Sequence, residues 1–130
     1  MEQTKFQFIL YCADQKRSTN FYQQLLRQEP VLNVPGMTEF RLTENVKLGL
    51  MPEEGIANIL GDKVKSPGSG NGIPRCELYI YTDEPEEFYR RALEMEAISV
   101  SPVASRDWGD RAGYIADPDG HIIAFAKCEE

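Results

Sequence analysis

The sequence predicts a single α+β domain in which one βαβββ module occurs twice in tandem. The segments QFILYCAD and NFYQQLL of the first half align with ELYIYTD and EFYRRAL of the second, so a strand and a helix follow each other in both halves. The segments FRLTENVKLGL and YIADPDGHIIAF then align as a hairpin in each half, the second with a longer turn. A length of 130 residues is also usual for one domain with its own core.

The first module is predicted to begin with a buried strand at Phe6–Cys12, because this run is aromatic and aliphatic. Apolar residues at helical spacing predict a helix over residues 18–27, capped by Ser18 or Asp14 and stopped by Pro30. Three short strands separated by turn residues complete the module, at residues 31–34, 38–42 and 46–51.

Residues 52–75 are predicted to be an irregular linker between module 1, at about residues 5–51, and module 2, at residues 76–128. The stretch SPGSGNG at residues 66–72 is rich in glycine and predicts a flexible segment. A short apolar run at residues 56–60 predicts either a lid over a binding site or a helix that covers the linker.

The second module repeats this order of elements. Residues 76–81 predict a buried strand, and the segment TDEP that follows predicts a helix start with a capping residue, an acidic first turn and an early proline. The helix is expected to run to about residue 95. Its buried face is predicted to consist of Phe88, Tyr89, Ala92, Leu93 and Met95. Three strands follow, at residues 98–103, 112–116 and 122–127.

Composition argues against several classes of partner. The 21 acidic and 14 basic residues give a net charge of −7, which repels phosphate backbones and anionic membrane surfaces. We therefore expect neither nucleic acid nor a membrane as a partner. The apolar run from Phe6 lacks the basic leader and the cleavage site of a signal peptide, and Cys12, Cys76 and Cys128 form no CxxC pair. Reduced thiols and a cytoplasmic location are expected.

The duplicated pattern resembles the vicinal-oxygen-chelate superfamily of glyoxalases, bleomycin-resistance proteins and extradiol dioxygenases. The segment WGDRAGYIADPDGHIIAF, from Trp108 to Phe125, is similar to the final hairpin of that superfamily, and the likeness covers nearly the whole chain. The resemblance implies a glyoxalase/bleomycin-resistance/dioxygenase-like fold, in which the two modules form a half-barrel cleft around a pocket. It also implies a homodimer, because dimerisation is common in the superfamily.

Metal-dependent members of the superfamily hold a divalent ion with side chains from the first and last strands of both modules. Alignment places Gln7 and Glu77 at the first-strand positions, and Gly49 and Ala124 at the last-strand positions. Glycine and alanine cannot coordinate a metal, and two oxygen ligands fall short of the three or more that a stable divalent site usually takes. We therefore expect no cofactor, and the sequence disfavours a divalent metal.

Period-two alternation divides the first strand of each module into two faces. The resemblance implies that one face lines the cavity, and it carries Gln7, Ile9 and Tyr11 in module 1 and Glu77, Tyr79 and Tyr81 in module 2. The other face is more uniformly apolar and is expected to pack under helices, with Phe6, Phe8 and Leu10 in module 1 and Leu78 and Ile80 in module 2.

Glu77 has two interpretations. It can be a buried carboxylate whose pKa is raised by an apolar cavity, and then serve as a general base or bind a ligand cation. It can also be a relic of a metal site that pairs with Gln7.

Aromatic residues suggest a pocket that stacks on a flat or cationic ligand. The candidates are Tyr11, Tyr79, Tyr81, Trp108 and Tyr114. Each one alone is more simply explained as barrel packing, but the cluster favours a ligand site, with Trp108 as the best individual candidate. Arg41, Arg106 and Arg111 could pair with an anionic substrate, although ordinary surface charges are expected. His121 is expected to be a turn residue.

Three functions are compatible with these patterns. The first is a metal-independent small-molecule binding protein of the bleomycin-resistance type, with an aromatic or cationic ligand in the cleft between the modules. The second is a metal-dependent lyase, isomerase or dioxygenase of the same superfamily. The third is a metal-free enzyme that uses Glu77 as an acid or base. The sequence does not decide whether the protein is an enzyme.

Overall fold

A computed structural model describes residues 4–129. The chain divides between Asn71 and Gly72 into two compact units. The division falls within the segment that the sequence predicts to be a linker, and each unit contains one βαβββ module.

Unit 1 contains a four-stranded mixed sheet. In chain order its elements are β1 (Phe6–Cys12), α1 (Gln15–Leu26), β2 (Leu32–Val34), β3 (Met37–Thr43), β4 (Val46–Pro52) and α2 (Glu53–Leu60), and a short 3-10 helix follows at Pro67–Gly70. The strand order is β1-β4-β3-β2, with β1 parallel to β4 and the other neighbours antiparallel. All four strands and the helix predicted for module 1 are therefore present.

Helix α1 begins earlier than the sequence predicts, at Gln15 rather than Ser18. Asp14 is the N-cap, and its carboxylate accepts a hydrogen bond from the backbone N–H of Arg17 at 3.0 Å. Ser18 lies inside the helix and is buried. The helix ends before Pro30 because Arg27 adopts a left-handed conformation, with φ of 53°, and its N–H caps the carbonyl of Gln23.

The core of unit 1 lies between α1 and one face of the sheet. The helix contributes Phe21, Tyr22 and Leu25, and the sheet contributes Phe40, Leu48 and Leu50, all of them buried. The predicted packing of Phe6 and Phe8 under a helix is wrong, because their side chains are 60% and 58% exposed. Strand β1 is at the edge of the sheet, whereas α1 packs on β3 and β4.

Helix α2 is longer than the apolar run that predicted it. Two acidic residues, Glu53 and Glu54, extend its first turn, where they interact favourably with the helix dipole. The helix packs on β4, β1 and the 3-10 helix of its own unit, with Ile56 buried and Ile59 exposed. These contacts are compatible with a helix that covers the linker, and a lid over a binding site stays a prediction.

Unit 2 repeats the topology of unit 1. Its elements are β5 (Glu77–Tyr81), α3 (Pro85–Leu93), β6 (Ile98–Ser105), β7 (Asp110–Ala116) and β8 (Ile122–Cys128). The strand order is β5-β8-β7-β6, and β5 is parallel to β8. The predicted α+β fold of two tandem βαβββ modules is confirmed.

Two predictions for the start of unit 2 are wrong in part. Strand β5 is not buried, since Glu77 and Tyr81 are exposed and the residues between them are half-buried at the edge of the sheet. Helix α3 ends at Leu93, and the Leu93 side chain is 40% exposed rather than buried. Tyr89 and Ala92 are buried as predicted.

The core of unit 2 lies between α3 and one face of its sheet. The Phe88 ring packs on Phe125 with the ring centroids 5.5 Å apart, and Ile115 and Ile123 are fully buried. At Gly113 an added Cβ would lie 2.9 Å from Tyr89 Cδ1, so glycine allows the helix to approach the sheet closely.

Within residues 4–129, no helix has the length and apolar character needed to cross a bilayer. All three cysteines are thiols rather than disulfide partners, as predicted, with Cys12 buried and Cys76 and Cys128 exposed. A cytoplasmic location stays a prediction.

Candidate functional site

The sheet of unit 2 has an aromatic side, which we term the aromatic face and define as the side opposite α3. Because Gly113 and Phe125 face the helix, their neighbours along β7 and β8 face the other way. Tyr79, Ala124 and Tyr114 form one row across this face. The next row consists of Tyr81, Ala126 and Ala112. Small alanine side chains therefore lie between the larger tyrosines.

A hydrogen-bond network centred on Asp110 joins three aromatic side chains of this face. The hydroxyls of Tyr79 and Tyr81 both donate to Asp110 Oδ2 at 2.8 Å. The indole N–H of Trp108 donates to the Tyr79 hydroxyl at 2.9 Å. The Tyr79 and Tyr81 rings also contact each other edge to face, with centroids 5.3 Å apart. The network fixes the positions of all three rings.

The environment of these tyrosines favours the protonated phenol. Burial raises the pKa of Tyr79 to about 12, and the hydrogen bond and negative charge of Asp110 act in the same direction, while the Trp108 hydrogen bond opposes them. The hydrogen bond to Asp110 is the main reason why the pKa of Tyr81 is also raised. Both hydroxyls therefore keep their protons at neutral pH and act as donors to Asp110.

Tyr114 lies near charges of both signs. The Arg106 guanidinium is 5.1 Å from the centroid of the Tyr114 ring. The Arg106 side chain is anchored by hydrogen bonds from its Nε and Nη2 to the carbonyls of Ala112 and Pro102 and to Ser101 Oγ. Burial raises the pKa of Tyr114, with contributions from the negative charges of Glu77 and Asp110, and the positive charge of Arg106 opposes the rise.

Glu77 is on the aromatic face but is not the buried carboxylate that one interpretation required. The residue is exposed, because it begins the edge strand β5. It acts on Tyr114 through its charge, so the two residues lie within electrostatic reach of each other. Its role as an acid or base stays a prediction without the support of burial.

The other predicted arginines are held outside the aromatic face. Arg111 Nε pairs with the Glu86 carboxylate of α3 at 2.6 Å. Arg41 donates to the carbonyl of Glu44 in the β3–β4 turn. The backbone N–H of His121 donates to the Asp117 carboxylate, as expected for a turn residue.

In unit 1, the side of the sheet opposite α1 carries polar side chains that bond to one another. Glu39 accepts a hydrogen bond from Gln7 Nε2 at 3.0 Å and forms an ion pair with Lys47 Nζ at 2.6 Å. The hydrogen bond from Lys47 is the main reason why the pKa of Glu39 is lowered. Tyr11 lies on the same face, is half-buried, and is opposite Met51 on β4.

Gly49 leaves the space that Gln7 occupies. A Cβ atom at residue 49 would be 2.5 Å from Gln7 Nε2, which is closer than atoms in van der Waals contact approach. Any larger residue there must displace the Gln7 amide from Glu39. Gly49, which stands at a predicted metal position, therefore leaves room for the hydrogen bond between Gln7 and Glu39.

The four predicted metal positions do not carry the side chains that a divalent ion needs. In unit 1 the two predicted positions offer only the Gln7 amide oxygen, and in unit 2 they offer only the Glu77 carboxylate, since Ala124 carries a buried methyl group. No cluster of three or more His, Cys, Asp or Glu side chains suited to a metal occurs among residues 4–129. At the four predicted positions each unit supplies one oxygen donor, whereas a divalent site needs several.

The sequence predicted the large aromatic residues of this face but not Asp110, to which two of them bond. Tyr79, Tyr81 and Trp108 are brought together by hydrogen bonds, and Tyr114 lies on the same face. Asp110 was missed because the predicted strand began at Ala112. The alternation of side chains along the strand could have identified Asp110. Once β7 is extended to its true start, Asp110, Ala112 and Tyr114 lie on one face of the sheet.

Grooves occur in both units among the described residues. One, of about 350 Å³, lies at the end of β5 and β8 beside Tyr81, and its lining includes Ala126 and Cys128. The larger groove, of about 470 Å³, lies in unit 1 between α1 and β2, and none of the predicted site residues lines it. We regard the smaller one as the relevant groove because Tyr81 belongs both to its wall and to the Asp110 network.

Comparisons with known proteins place these features in context. A family model described as the Glyoxalase/Bleomycin resistance protein/Dioxygenase superfamily matches residues 6–125. An uncharacterized protein of Mycobacterium bovis is 31% identical over 72 residues, which is 55% of this chain and 47% of that protein. A similar uncharacterized protein of Mycobacterium tuberculosis is 31% identical over 72 residues, 55% of this chain and 42% of its own length. The matched stretch thus spans about half the length of these relatives.

Solved structures share the fold at low sequence identity. A glyoxalase-related enzyme from Fulvimarina pelagi has a TM-score of 0.81 at 21% identity, covering 98% of this chain and 88% of that one. A glyoxalase/bleomycin resistance protein/dioxygenase from Nocardioides has a TM-score of 0.74 at 21% identity, covering 100% of this chain and 86% of that one. Identity at this level shows the fold alone.

Proposed function

Because the chain belongs to the glyoxalase/bleomycin resistance protein/dioxygenase superfamily, we propose that it binds a small organic ligand on the aromatic face without a divalent metal ion. The observation that carries the proposal is the network in which Asp110 fixes Tyr79 and Tyr81, and Tyr79 accepts a hydrogen bond from Trp108. The ligand would be aromatic or cationic, since stacking and cation–π contacts are what such rings offer.

The exposure of two of these rings supports a binding role. Tyr81 and Trp108 are 65% and 60% exposed, although large aromatic side chains are usually more buried than this. Their polar atoms are already bonded within the protein, so the rings are held in place before any ligand arrives. Fixed rings lose little conformational entropy on binding, which favours affinity.

We propose metal independence because too few side chains are available as metal ligands at the predicted positions. Gly49 and Ala124 stand where coordinating side chains would be needed, and the Gln7 amide already bridges to Glu39. A metal-dependent lyase, isomerase or dioxygenase would have to draw its ligands from other residues. We expect elemental mass spectrometry of protein purified without chelator to detect no stoichiometric metal. One bound ion per chain, with a higher melting temperature in added Mn, Fe, Ni, Zn or Mg, would revive the metal-dependent hypothesis.

A metal-free enzyme that uses Glu77 is the alternative function. Glu77 is accessible to a ligand on the aromatic face and lies within electrostatic reach of Tyr114. If Glu77 transfers a proton, Glu77→Gln should abolish turnover and leave ligand affinity nearly unchanged. If the protein only binds its ligand, the same variant should weaken binding, with no turnover to lose.

The location of binding can be tested with the protein's own tryptophan. Trp108 is the only tryptophan in the chain, so its indole N–H gives a single resonance that reports on the aromatic face. We would screen aromatic and cationic fragments by thermal shift and then follow the Trp108 indole signal for each hit. Hits should move that signal, and Tyr81→Ala should weaken their binding about ten-fold or more, as expected for loss of a stacking ring.

The control is Phe8→Leu, which alters an equally exposed aromatic residue in unit 1. This variant should leave the affinity of every hit unchanged. Hits that leave the Trp108 signal in place and bind Tyr81→Ala as tightly as the unchanged protein would show that the ligand binds elsewhere.

A further inference from the structure

The hydroxyl protons of Tyr79 and Tyr81 point in a direction that Asp110 dictates. Both phenols donate to Asp110 Oδ2, and the Asp110 residue is only 5% exposed. An ionised carboxylate is an acceptor only, so each phenol must use its proton for this bond. The phenol oxygens then have nothing but lone pairs to offer any other partner.

Several other donors near this face are also engaged. The Trp108 indole N–H donates to the Tyr79 oxygen, and Arg106 Nε and Nη2 are bonded to protein oxygens. Lys127 alternates to the α3 side of β8, where its charge acts on Glu86. At the exposed Tyr81 ring the group left for a ligand is an acceptor, the Tyr81 oxygen. The Tyr114 hydroxyl, a donor, lies in the neighbouring row of the face beside Arg106.

The charges of the aromatic face favour the same kind of ligand. Glu77 and Asp110 contribute two negative charges and Arg106 contributes one positive charge, and all three act on Tyr114. The sum, two negative less one positive, is one negative charge. The Arg106 guanidinium is held over the Tyr114 ring by its own hydrogen bonds, so it does not occupy the exposed surfaces of Tyr81 and Trp108.

We propose that the aromatic face selects ligands in which a protonated amine is attached to a flat ring, in preference to neutral or anionic ligands with the same ring. This inference rests on the proposed function and specifies its ligand class. The ammonium group donates a hydrogen bond to the Tyr81 oxygen, and its charge offsets the net negative charge of the face. The ring stacks on the exposed surfaces of Tyr81 and Trp108.

The test uses four probes that share one ring: benzylammonium, benzyltrimethylammonium, benzyl alcohol and benzoate. Dissociation constants would be measured from the Trp108 indole resonance. Benzylammonium should bind about ten-fold more tightly than benzyl alcohol, because charge-assisted hydrogen bonds are about twice as strong as neutral ones. Benzyltrimethylammonium has charge but no N–H donor and should fall between them, and benzoate should bind most weakly.

Each outcome has a distinct meaning. Equal affinity for all four probes, or tighter binding of benzoate, would overturn the inference and leave the proposed binding site standing. Benzyltrimethylammonium binding as tightly as benzylammonium would overturn the role of the donated hydrogen bonds. If none of the four probes moves the Trp108 signal while fragments of other shapes do, the inference fails but the proposed function does not. If no fragment moves it, both fail.

Two variants test the origin of the selectivity. Asp110→Asn supplies an amide N–H₂ that can donate to the tyrosine oxygens and free their protons for a ligand. We expect the ratio of benzylammonium to benzoate affinity to fall about ten-fold in this variant. The matched control is Glu86→Gln, which removes one negative charge from unit 2 at the Arg111 ion pair and leaves the Asp110 network untouched.

Glu86→Gln should keep the full preference for benzylammonium. An equal loss of preference in both variants would show that overall charge, and not hydroxyl direction, sets the selectivity. If Asp110→Asn fails to fold, Tyr81→Phe serves instead, since it deletes the acceptor oxygen and keeps the ring. Tyr81→Phe should lower benzylammonium affinity by a larger factor than benzyl alcohol affinity, because the charge-assisted hydrogen bond to the Tyr81 oxygen is the stronger of the two. An unchanged benzylammonium affinity would contradict the proposal.

Discussion

Asp110 positions three aromatic side chains although it contacts only two of them directly. Tyr79 and Tyr81 donate to one of its oxygens, and Trp108 is added through the Tyr79 hydroxyl. A buried carboxylate without donors would be costly, so the two phenols stabilise Asp110 as much as Asp110 orients them. Removing Asp110 therefore leaves the Tyr79 hydroxyl without its acceptor, whereas the exposed Tyr81 hydroxyl can bond to water.

We expect Asp110→Ala to lower the free energy of unfolding by about 2 kcal/mol, because two hydrogen bonds to a charged group are lost while the exposed Tyr81 can bond to water instead. Urea unfolding measures the change. Glu86→Gln, which breaks an exposed ion pair of the same unit, should change stability by less than about 0.5 kcal/mol. Similar losses in the two variants would contradict the central role of Asp110.

Tyr79 predicts a specific sensitivity to alkali. Its pKa rises from 10.0 to about 12 in the folded protein. Because the folded value is the higher one, the contribution of the Tyr79 proton to stability is fully present below pH 10.0 and is lost as the pH rises towards 12.

The free energy of unfolding should therefore fall more steeply over this alkaline interval in the unchanged protein than in Tyr79→Phe, which has no proton to lose. Denaturant unfolding at a series of alkaline pH values gives both slopes. Parallel curves would mean that the Tyr79 proton contributes nothing to stability.

At the level of elements, the three strands β1, β4 and β3 are joined by side chains across Gly49. The Gln7 amide reaches from β1 over Gly49 to Glu39 on β3, and Lys47 of β4 neutralises the Glu39 carboxylate. The network thus adds side-chain bonds to a part of the sheet where β1 is an edge strand. A side chain at residue 49 has to break one of them.

Gly49→Ala should destabilise the protein by about 1 kcal/mol, the usual value of one hydrogen bond. In a Gln7→Ala background the same change should have a much smaller effect, because the amide that clashes with the new methyl group is gone. A double-mutant cycle measured by thermal unfolding gives this coupling. Additive effects of the two substitutions would show that Gln7 and Gly49 are independent.

The sequence predicts the elements well where a local signal exists. Aromatic and aliphatic runs and turn residues identified the eight strands of the described residues, and the segment TDEP located the start of α3. The start of α1 was ambiguous because two residues of good capping type, Asp14 and Ser18, lie one turn apart. The exposure of Phe6 and of Glu77 was not predictable from the strands themselves, since it depends on their edge positions in the two sheets.

At the scale of the whole molecule, the two modules have kept one topology and acquired different surfaces. The strand orders β1-β4-β3-β2 and β5-β8-β7-β6 are equivalent. Unit 1 carries the charged network of Glu39, whereas unit 2 carries the aromatic face around Asp110. Repetition predicted the shared topology, but the two networks depend on side-chain contacts that no repeat could reveal.

The exposed apolar side chains of β1 support the prediction of a homodimer. Phe6 and Phe8 are both more than half exposed on an edge strand, and such strands pair readily with another chain. Light scattering should give twice the chain mass of 14.8 kDa, and Phe8→Lys should shift the protein towards the monomer. The matched control Ile59→Lys changes an exposed apolar residue of α2 and should not affect the mass. A monomer at all concentrations would refute the prediction.

The parallel pairing of β1 with β4 has a consequence for synthesis. Phe6 lies opposite Val46, so the first strand of the module has no partner until the last strand has left the ribosome. A nascent chain that ends before Val46 can form the α1 helix but not the sheet beneath it, and its apolar first strand remains unpaired. The same delay recurs between β5 and β8. Each half of the protein is therefore completed only when translation has passed its final strand, and a pause before that point prolongs the exposure of an aggregation-prone segment.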